Sequence, residues 1–507
     1  MVTRAFLVST ALLLPSAAAA EWREAETAHF RIISSAPDKE LTKFAGRLEM
    51  VDALMRKANG TRSDVRANKV RVFVVPSLDE VQRAIGMVGS GVGGFYTVNE
   101  HGPFAVTPRR TGADFGSFTP EVVLFHEYGH HFQLQYYPKA YPAWYVEGSA
   151  ELFATATVQP NGKVLYGKAA SHRGQSLSYA RWVPIEVLLT RPADEYPDDG
   201  DFYGQSWLLS HYLTFAPQRK GQLGQYLRAL SDGKSAKEAS RVFGDLKQLS
   251  AELRKYFESA NFPYREVALE MPAKVIEKIR VLPKGEVELI PETISFRDHD
   301  LSEVEKEKDR VKERSERATY IERLRRKAAK LGNDPYALRL LADGEFVAGN
   351  IAASRTATDR LLAVDPNNPG GLYRKAALLL HEADKADGAN GRALALQARE
   401  LSLRANRADQ DDPQPLIAYY ESFPAAGERP TADALRALTA AVLTVPQDGS
   451  ARWMLVEALA SEGRYKEAIV QIGPLAFDPH KSPSRDRAVK RLEELKKSLG
   501  ATKATAK

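Results

Sequence analysis

Residues 125–154 read FHEYGHHFQLQYYPKAYPAWYVEGSAELFA. The spacing of the apolar residues predicts two helices, over Glu121–Tyr136 and Trp144–Thr157. Pro138 and Pro142 break the segment between them. The stretch therefore predicts two cooperating helices that both carry titratable side chains.

The first helix carries the pattern H-E-x-x-H at His126, Glu127 and His130. Residues four apart project from one helix face, so the two imidazoles can hold one ion while Glu127 leans over it. Neutral imidazole is a good ligand for Zn²⁺, and a catalytic zinc takes three protein ligands and a water. His131 points away from this face, and we expect it to be structural. The pattern predicts a zinc site that needs a third ligand.

The second helix offers that ligand as a carboxylate. The extended form H-E-x-x-H-x-x-G-x-x-H would require glycine at Gln133 and histidine at Tyr136, so it does not apply. Glu147 lies 17 residues after His130, and Glu151 follows one helical turn later on the same face. Both carboxylates are open as the third ligand, and we prefer Glu147. Glu151 can then accept the outer N–H of a liganding histidine.

The segment HEYGH followed by PAWYVEGSAE resembles the gluzincin metallopeptidases, in which H-E-x-x-H precedes a helix with E-G-x-A-E or a variant. The resemblance is closest to the peptidase MA-like domains of exported bacterial proteins and spans roughly residues 21–262. It implies an α+β zincin-like metallopeptidase domain. It also implies zinc held by His126, His130 and Glu147, with Glu127 as the catalytic base.

Related enzymes place a Tyr or His from a later helix near the oxyanion of the reaction. The sequence predicts a further helix at FYGQSWLLSHYLTF, Phe202–Phe215, where this resemblance makes Tyr203 a candidate catalytic residue and His211 an alternative. The strand around Gly94–Val98 suits an extended peptide. The implied substrate is therefore a peptide or a protein.

Residues from about Glu266 to His299 predict short strands and loops, and the chain beyond them predicts helices. A connecting segment with a charged helix spans residues 263–330, and alanine- and leucine-rich helix pairs span residues 331–500. Pro413, Pro446 and Pro479 recur at intervals of 33 residues, a spacing that resembles tetratricopeptide (TPR) repeats. Such pairs bury their apolar faces only by stacking, so we expect an all-α TPR-like solenoid that binds a protein partner.

Composition limits the remaining possibilities. The formal charge of +6 is spread over 507 residues without an aromatic-studded basic patch, so we expect no nucleic-acid partner. The chain contains no cysteine, so a bound metal must use His, Asp, Glu or water.

The first twenty residues have the layout of a secretory signal. Arg4 precedes an apolar run, and Ala18–Ala20 ends it as a cleavage site, which predicts a periplasmic or secreted protein. No other segment approaches the length of a membrane span, so we expect no stable span after signal cleavage.

The leading hypothesis is an exported zinc metallopeptidase with a TPR-like protein-interaction region. One alternative is a non-catalytic TPR scaffold that retains a zinc fold. Another is a zinc amidase that acts on cell-wall peptides. Zinc content, and the effect of Glu127→Gln on activity, distinguish the enzyme from the scaffold.

Overall fold

A computed structural model describes residues 21–61, 68–86, 89, 92–99, 102–109, 119–192, 195–197, 200–270, 274–296, 304, 306–478 and 482–505. The predicted signal segment, residues 1–20, lies outside these ranges. Within them, no helix combines the length and the apolar character that crossing a bilayer requires.

Short strands occupy the first half of the described chain. They are β1 (Arg23–Glu26), β2 (Phe30–Ser34), β3 (Val70–Val75), β4 (Phe95–Asn99), β5 (Gly102–Pro108), β6 (Thr157–Val158), β7 (Lys163–Tyr166), β8 (Arg265–Ala268) and β9 (Lys278–Val281).

Helices make up most of the described residues. The first half contains α1 (Asp38–Asn59), α2 (Leu78–Ala84), α3 (Pro120–Tyr136), α4 (Ala143–Ala154), α5 (Gly174–Tyr179), α6 (Ile185–Thr190), α7 (Phe202–Phe215), α8 (Gln222–Ser231), α9 (Ala236–Ala239), α10 (Leu246–Glu258), α11 (Lys284–Glu288) and α12 (Ile290–Ser295). The second half contains α13 (Glu307–Leu331), α14 (Pro335–Val347), α15 (Ile351–Val364), α16 (Pro369–Ala383), α17 (Gly388–Ala408), α18 (Gln414–Ala425), α19 (Ala432–Thr444), α20 (Gly449–Ser461), α21 (Tyr465–Ala476) and α22 (Pro483–Thr505).

The larger sheet is mixed and has the strand order β4-β5-β3-β2-β1-β9. Strands β2, β3 and β5 are parallel, whereas β1, β4 and β9 pair antiparallel to their neighbours. One face packs against α1 and α3 through residues such as Ile32, Val72 and Phe125. The opposite face packs against α2 and α12. This arrangement fixes α3 on one side of the sheet.

A second core lies beside α4 and α7, which pack against each other. Trp144 of α4 and Trp207 of α7 are both buried there. The small sheet β6-β7-β8 is antiparallel and joins the segment after α4 to the segment after α10. Helix α4 is therefore held between α3 and α7.

Helices α13 to α22 form a stack in which each helix packs against the next. Helix α16 also contacts both α14 and α18, as the first helices of successive pairs do in a TPR-like repeat. Gly349 and Gly463 have φ angles of 77° and 72° where α14 and α20 end, a conformation that favours glycine. Helices α13 to α22 therefore form a TPR-like helical region.

This helical region contacts the first half of the chain at several points. The Arg31 guanidinium on β2 lies 3.3 Å from a carboxylate oxygen of Asp411. Gln135 on α3 donates a hydrogen bond of 2.8 Å to the carbonyl oxygen of Leu443. A Cβ added to Gly473 on α21 would lie 3.3 Å from Ala140, in the α3–α4 connection.

The predicted fold class, an α+β zincin-like domain followed by an all-α solenoid, is wrong in its zincin-like part. The protein is predominantly helical with a small N-terminal sheet region, and the TPR-like helices are its largest feature. The prediction depended on a motif of about thirty residues. Such a motif determines a local helix pair, but it does not determine the strands and helices around that pair.

Candidate metal centre

Helix α3 positions two histidines on one side. The Thr119 side chain accepts a hydrogen bond from the backbone N–H of Val122, and Pro120 occupies the first turn, so the helix starts at a well-capped end. One turn separates His126 from His130, and their Nε2 atoms lie 3.1 Å apart. Both imidazoles are partly exposed, with 13% and 19% of their side-chain surfaces accessible.

Helix α4 brings a carboxylate to these two histidines. Oε2 of Glu147 lies 3.4 Å from Nε2 of His126 and 3.4 Å from Nε2 of His130. The structure therefore brings together the three residues that the sequence predicts as ligands, with one ligand atom from each within 4.8 Å of the others.

Two glycines allow the helices to approach this closely. A Cβ on Gly129 of α3 would lie 3.0 Å from the Cα of Ala150 on α4. A Cβ on Gly148 of α4 would lie 2.2 Å from the backbone oxygen of Ser206 on α7. Larger side chains at either position would push α4 away from its neighbours, so small residues determine where Glu147 lies.

Glu147 is buried in an unusual way. Only 1% of its surface is exposed, and neither carboxylate oxygen has a hydrogen-bond partner among the described residues. Burial raises the pKa of Glu147, but the nearby imidazoles of His130 and His126 lower it by a larger amount, so the net pKa lies well below its ordinary value. A buried carboxylate without donors is unfavourable unless a cation compensates it. The donor set of two imidazoles and one carboxylate fits Zn²⁺.

Glu151 lies behind His126, one turn after Glu147. Its Oε1 atom is 3.3 Å from Nδ1 of His126, and its Oε2 atom is 2.7 Å from Nε2 of His172. Arg173 donates from Nε to Oε1 at 3.0 Å. Burial raises the pKa of Glu151, but the hydrogen bond with His172 and the charges of His126 and Arg173 lower it to about 2. Glu151 is thus an ionised group that pairs with His172 and Arg173 and lies beside His126.

Sequence reasoning missed His172 and Arg173. They lie in the segment before α5, more than twenty residues after Glu151, and no helical spacing relates them to it. Two adjacent polar residues in a connecting segment carry no signal by themselves. Their place beside Glu151 depends on how the chain folds back after β7.

The two residues predicted for catalysis lie at the edge of this cluster. The Glu127 side chain is half-buried. The pKa of Tyr96 is raised mainly because Tyr96 is buried, and the charge of Glu127 raises it further. Tyr203, at the start of α7, is 36% exposed, and its ring lies 5.0 Å from the Arg173 guanidinium. Burial, followed by the charge of Glu147, raises the pKa of Tyr203.

His211, the alternative to Tyr203, lies in the core. It is fully buried, its Nε2 atom is 2.7 Å from the carbonyl oxygen of Gly167, and its Nδ1 atom is 2.9 Å from the hydroxyl of Tyr256. Since both ring nitrogens have partners in the core, His211 packs the interior and does not face the ligand cluster.

His131 is also enclosed. It is 2% exposed and stacks on Tyr128 with a centroid distance of 5.5 Å. Its Nδ1 atom lies 3.0 Å from the Tyr96 hydroxyl and 2.8 Å from Nε2 of Gln447. Burial lowers the pKa of His131 to about 3, so the ring is neutral.

A second group of possible ligands consists of His29, Glu49 and Asp52. These side chains already have partners, because His29 Nδ1 lies 2.7 Å from Glu49 and Arg56 Nε lies 2.6 Å from Asp52. The Tyr128 hydroxyl donates to the other oxygen of Asp52 at 2.7 Å. The group is therefore a paired structural cluster and not a metal site.

Comparisons with known proteins give matches among solved structures. No family model matches the chain, and no curated protein matches it. The thermophilic TPR protein TTC0263 of Thermus thermophilus is 20% identical and covers 35% of this chain and 90% of its own, with a TM-score of 0.31. MamA from Desulfovibrio magneticus RS-1 is 17% identical and covers 38% and 91%, with a TM-score of 0.25. Yeast Tom70 is 12% identical and covers 60% and 61%, with a TM-score of 0.25.

These matches correct the interpretation of the chain as a peptidase. The three similar structures named above are the TPR protein TTC0263, MamA and Tom70, and none of them is described as a zinc peptidase. The identification as a gluzincin or peptidase MA-like domain is therefore wrong, and so are the assignments as an enzyme, a hydrolase and a metalloprotease. The predicted peptide substrate is likewise unsupported. An H-E-x-x-H helix supplies metal ligands, but ligands alone do not establish a reaction.

Proposed function

We propose that this protein is a zinc-containing scaffold whose TPR-like helices bind a protein partner. His126, His130 and Glu147 hold the zinc ion, and Glu151 orients His126. The ion joins α3 to α4 and stabilises the part of the protein against which the TPR-like region packs. When bound, zinc supplies the positive charge that the buried carboxylate lacks.

The observation that supports this proposal most directly is the burial of Glu147. The residue is only 1% exposed, and its two carboxylate oxygens have no hydrogen-bond donor among the described residues. The imidazoles of His126 and His130 lie 3.4 Å away. Burying an ionised carboxylate costs several kcal/mol of hydration free energy unless a nearby positive charge compensates for the lost water. A divalent cation between these three side chains provides that charge.

The zinc part of the proposal is tested by measuring metal content of the purified full chain. About one zinc per chain is expected for the wild type, and very little for His126→Ala or Glu147→Gln. His381→Ala is the matched control, because His381 lies on α16 in the TPR-like region and should leave the zinc content unchanged. Equal zinc contents in all four proteins would contradict the assignment.

The scaffold part of the proposal is tested with a broad peptide library. The zinc-loaded wild type is expected to cleave none of its members. Cleavage that disappears in Glu127→Gln, while zinc remains bound, would overturn the scaffold proposal.

Partner binding is tested by photo-crosslinking in cells. Crosslinkers at the exposed positions Leu396 and Leu403, which lie two turns apart on α17, are expected to trap one and the same protein. Tyr179, which is 84% exposed and lies in the first half of the chain, is the control position. Trapping from Tyr179 alone would contradict a partner site on the TPR-like region.

Export is part of the same proposal, and it depends on residues 1–20. Cell fractionation is expected to find the protein outside the cytoplasm and to find its N-terminus near Glu21. Retention of the first twenty residues on a cytoplasmic protein would contradict it.

A further inference from the structure

The connection between α19 and α20 touches the helix that carries the two histidines. Gln447, in this connection, lies with its Nε2 atom 2.8 Å from Nδ1 of His131 and 3.4 Å from the carbonyl oxygen of the same residue. One turn further along α3, Gln135 donates to the carbonyl oxygen of Leu443 at the end of α19. The TPR-like region therefore holds α3 at two successive turns.

His131 transmits this contact to the cluster because it follows His130 directly. The His131 ring is 2% exposed and stacks on Tyr128. The Tyr96 hydroxyl lies 3.0 Å from Nδ1, the ring nitrogen that Gln447 also contacts. An enclosed ring with donors on one nitrogen has a single orientation, and a shift of α3 would break these contacts. The rotation of α3 about its axis also determines where His126 and His130 point.

We infer that Gln447 is a positioning residue of the metal centre and that the α19–α20 connection couples the TPR-like region to zinc affinity. This inference rests on the proposed function, since it requires that His126, His130 and Glu147 bind zinc. Gln447 does not touch the ion and acts through His131. Because coupling between two sites is reciprocal, zinc also strengthens the packing of the α19–α20 connection on α3.

The geometry makes one substitution especially informative. Gln447→Glu keeps the shape of the side chain but replaces the donating amide with an acceptor that faces Nδ1 and the carbonyl oxygen of His131. Gln447→Leu removes the donor without adding a charge. Gln414→Leu and Gln414→Glu are the matched controls, because Gln414 starts α18 and accepts a hydrogen bond of 3.0 Å from Tyr373 within the TPR-like region.

The first measurement is the zinc dissociation constant of the full chain, determined by competition with a chelator. Both Gln447 variants are expected to bind zinc about fivefold more weakly, as expected for the loss of one neutral hydrogen bond, and the Gln414 variants are expected to match the wild type. The second measurement is hydrogen exchange of the backbone amides of Val445, Gln447 and Asp448, which zinc should slow in the wild type but not in Gln447→Leu.

The outcomes separate this inference from the proposed function. Wild-type zinc affinity in both Gln447 variants, with exchange of these backbone amides unaffected by zinc, would overturn the inference and leave the zinc site intact. Equal weakening in the Gln447 and Gln414 variants would also overturn it, because the effect would then be a general loss of stability. Absence of zinc from the wild type would overturn the proposed function itself.

Discussion

Gly129 on α3 lies against Ala150 on α4 so closely that a Cβ on the glycine would be 3.0 Å from the alanine Cα and 3.3 Å from its Cβ. This contact brings Glu147 within 3.4 Å of the two histidines on α3. The spacing between the two helix axes thus determines whether the three candidate ligands can share one ion.

Gly129→Ala should separate the two helices. We expect it to lower the free energy of unfolding by about 1–2 kcal/mol, because an added methyl group in a close-packed contact forces the backbone to shift. Urea denaturation of the zinc-free protein measures the effect. Gly224→Ala is the control: Gly224 lies in α8 with open space around it, so alanine should be neutral or slightly stabilising. Equal effects of the two substitutions would contradict the close approach of α3 and α4.

Glu151→Gln should reduce stability in a pH-dependent way. The pKa of Glu151 is about 2 in the folded protein and about 4.3 in an unfolded chain, so its ionised form stabilises the fold above the unfolded pKa and loses this effect as the pH falls towards 2. We expect the free energy of unfolding of the wild type to exceed that of the variant by about 2 kcal/mol at pH 7, and we expect this gap to narrow below about pH 5 and to close towards pH 2.

Denaturation at several pH values measures this gap. Glu467→Gln is the control, because Glu467 pairs with Arg464 at the surface, where 58% of its side chain is exposed and ion pairs contribute little. A gap that stays constant from pH 7 to pH 3 would show that Glu151 is not the ionised partner of His172 and Arg173.

Glu421→Gln should have the opposite pH dependence. Burial raises the pKa of Glu421 on α18 to about 7, so the folded protein holds this proton more tightly than the unfolded chain does. The fold therefore loses stability as the pH rises from about 4.5 to 7. We expect the variant to be about 1–2 kcal/mol more stable than the wild type at pH 8 and similar to it at pH 4. Thermal unfolding at both pH values tests this, and a variant that is less stable at pH 8 would contradict it.

Arg374→Met should destabilise the TPR-like region. Nε of Arg374 lies 2.8 Å from Asp343, and both residues are buried, with 1% and 2% of their surfaces exposed. Removing this cation leaves the buried Asp343 carboxylate with the more distant Arg339 guanidinium, 3.8 Å away, so we expect a loss of about 3 kcal/mol. The double variant Arg374→Met/Asp343→Leu should recover much of this loss. A double variant whose loss equals the sum of the two single losses would exclude direct coupling between the two residues.

The helices of the site were predictable because they carry local signals. The sequence predicts a helix over Phe202–Phe215, and α7 has those bounds. It predicts helices over Glu121–Tyr136 and Trp144–Thr157, and α3 and α4 differ from these by three residues or fewer at each end. Apolar spacing and proline breakers are properties of neighbouring residues, so they predict these helices without information about distant parts of the chain.

Features that depend on distant parts of the chain were not predictable. Strand β9 pairs with β1 across more than 250 residues, and the short helices α11 and α12 replace part of a segment that was expected to form strands and loops. The contacts of Glu151 with His172 and Arg173, and of His131 with Gln447, join segments whose spacing follows no period. The predicted peptidase was wrong because the ligand motif is local, whereas a reaction requires the whole site.

An anomalous-diffraction crystal structure of the zinc-loaded protein would test directly whether His126, His130 and Glu147 bind zinc. We expect one zinc ion about 2.0–2.2 Å from Nε2 of His126, from Nε2 of His130 and from a carboxylate oxygen of Glu147, with Nδ1 of His126 hydrogen-bonded to Glu151. A zinc ion bound elsewhere, or one that Glu147 does not ligate, would contradict it.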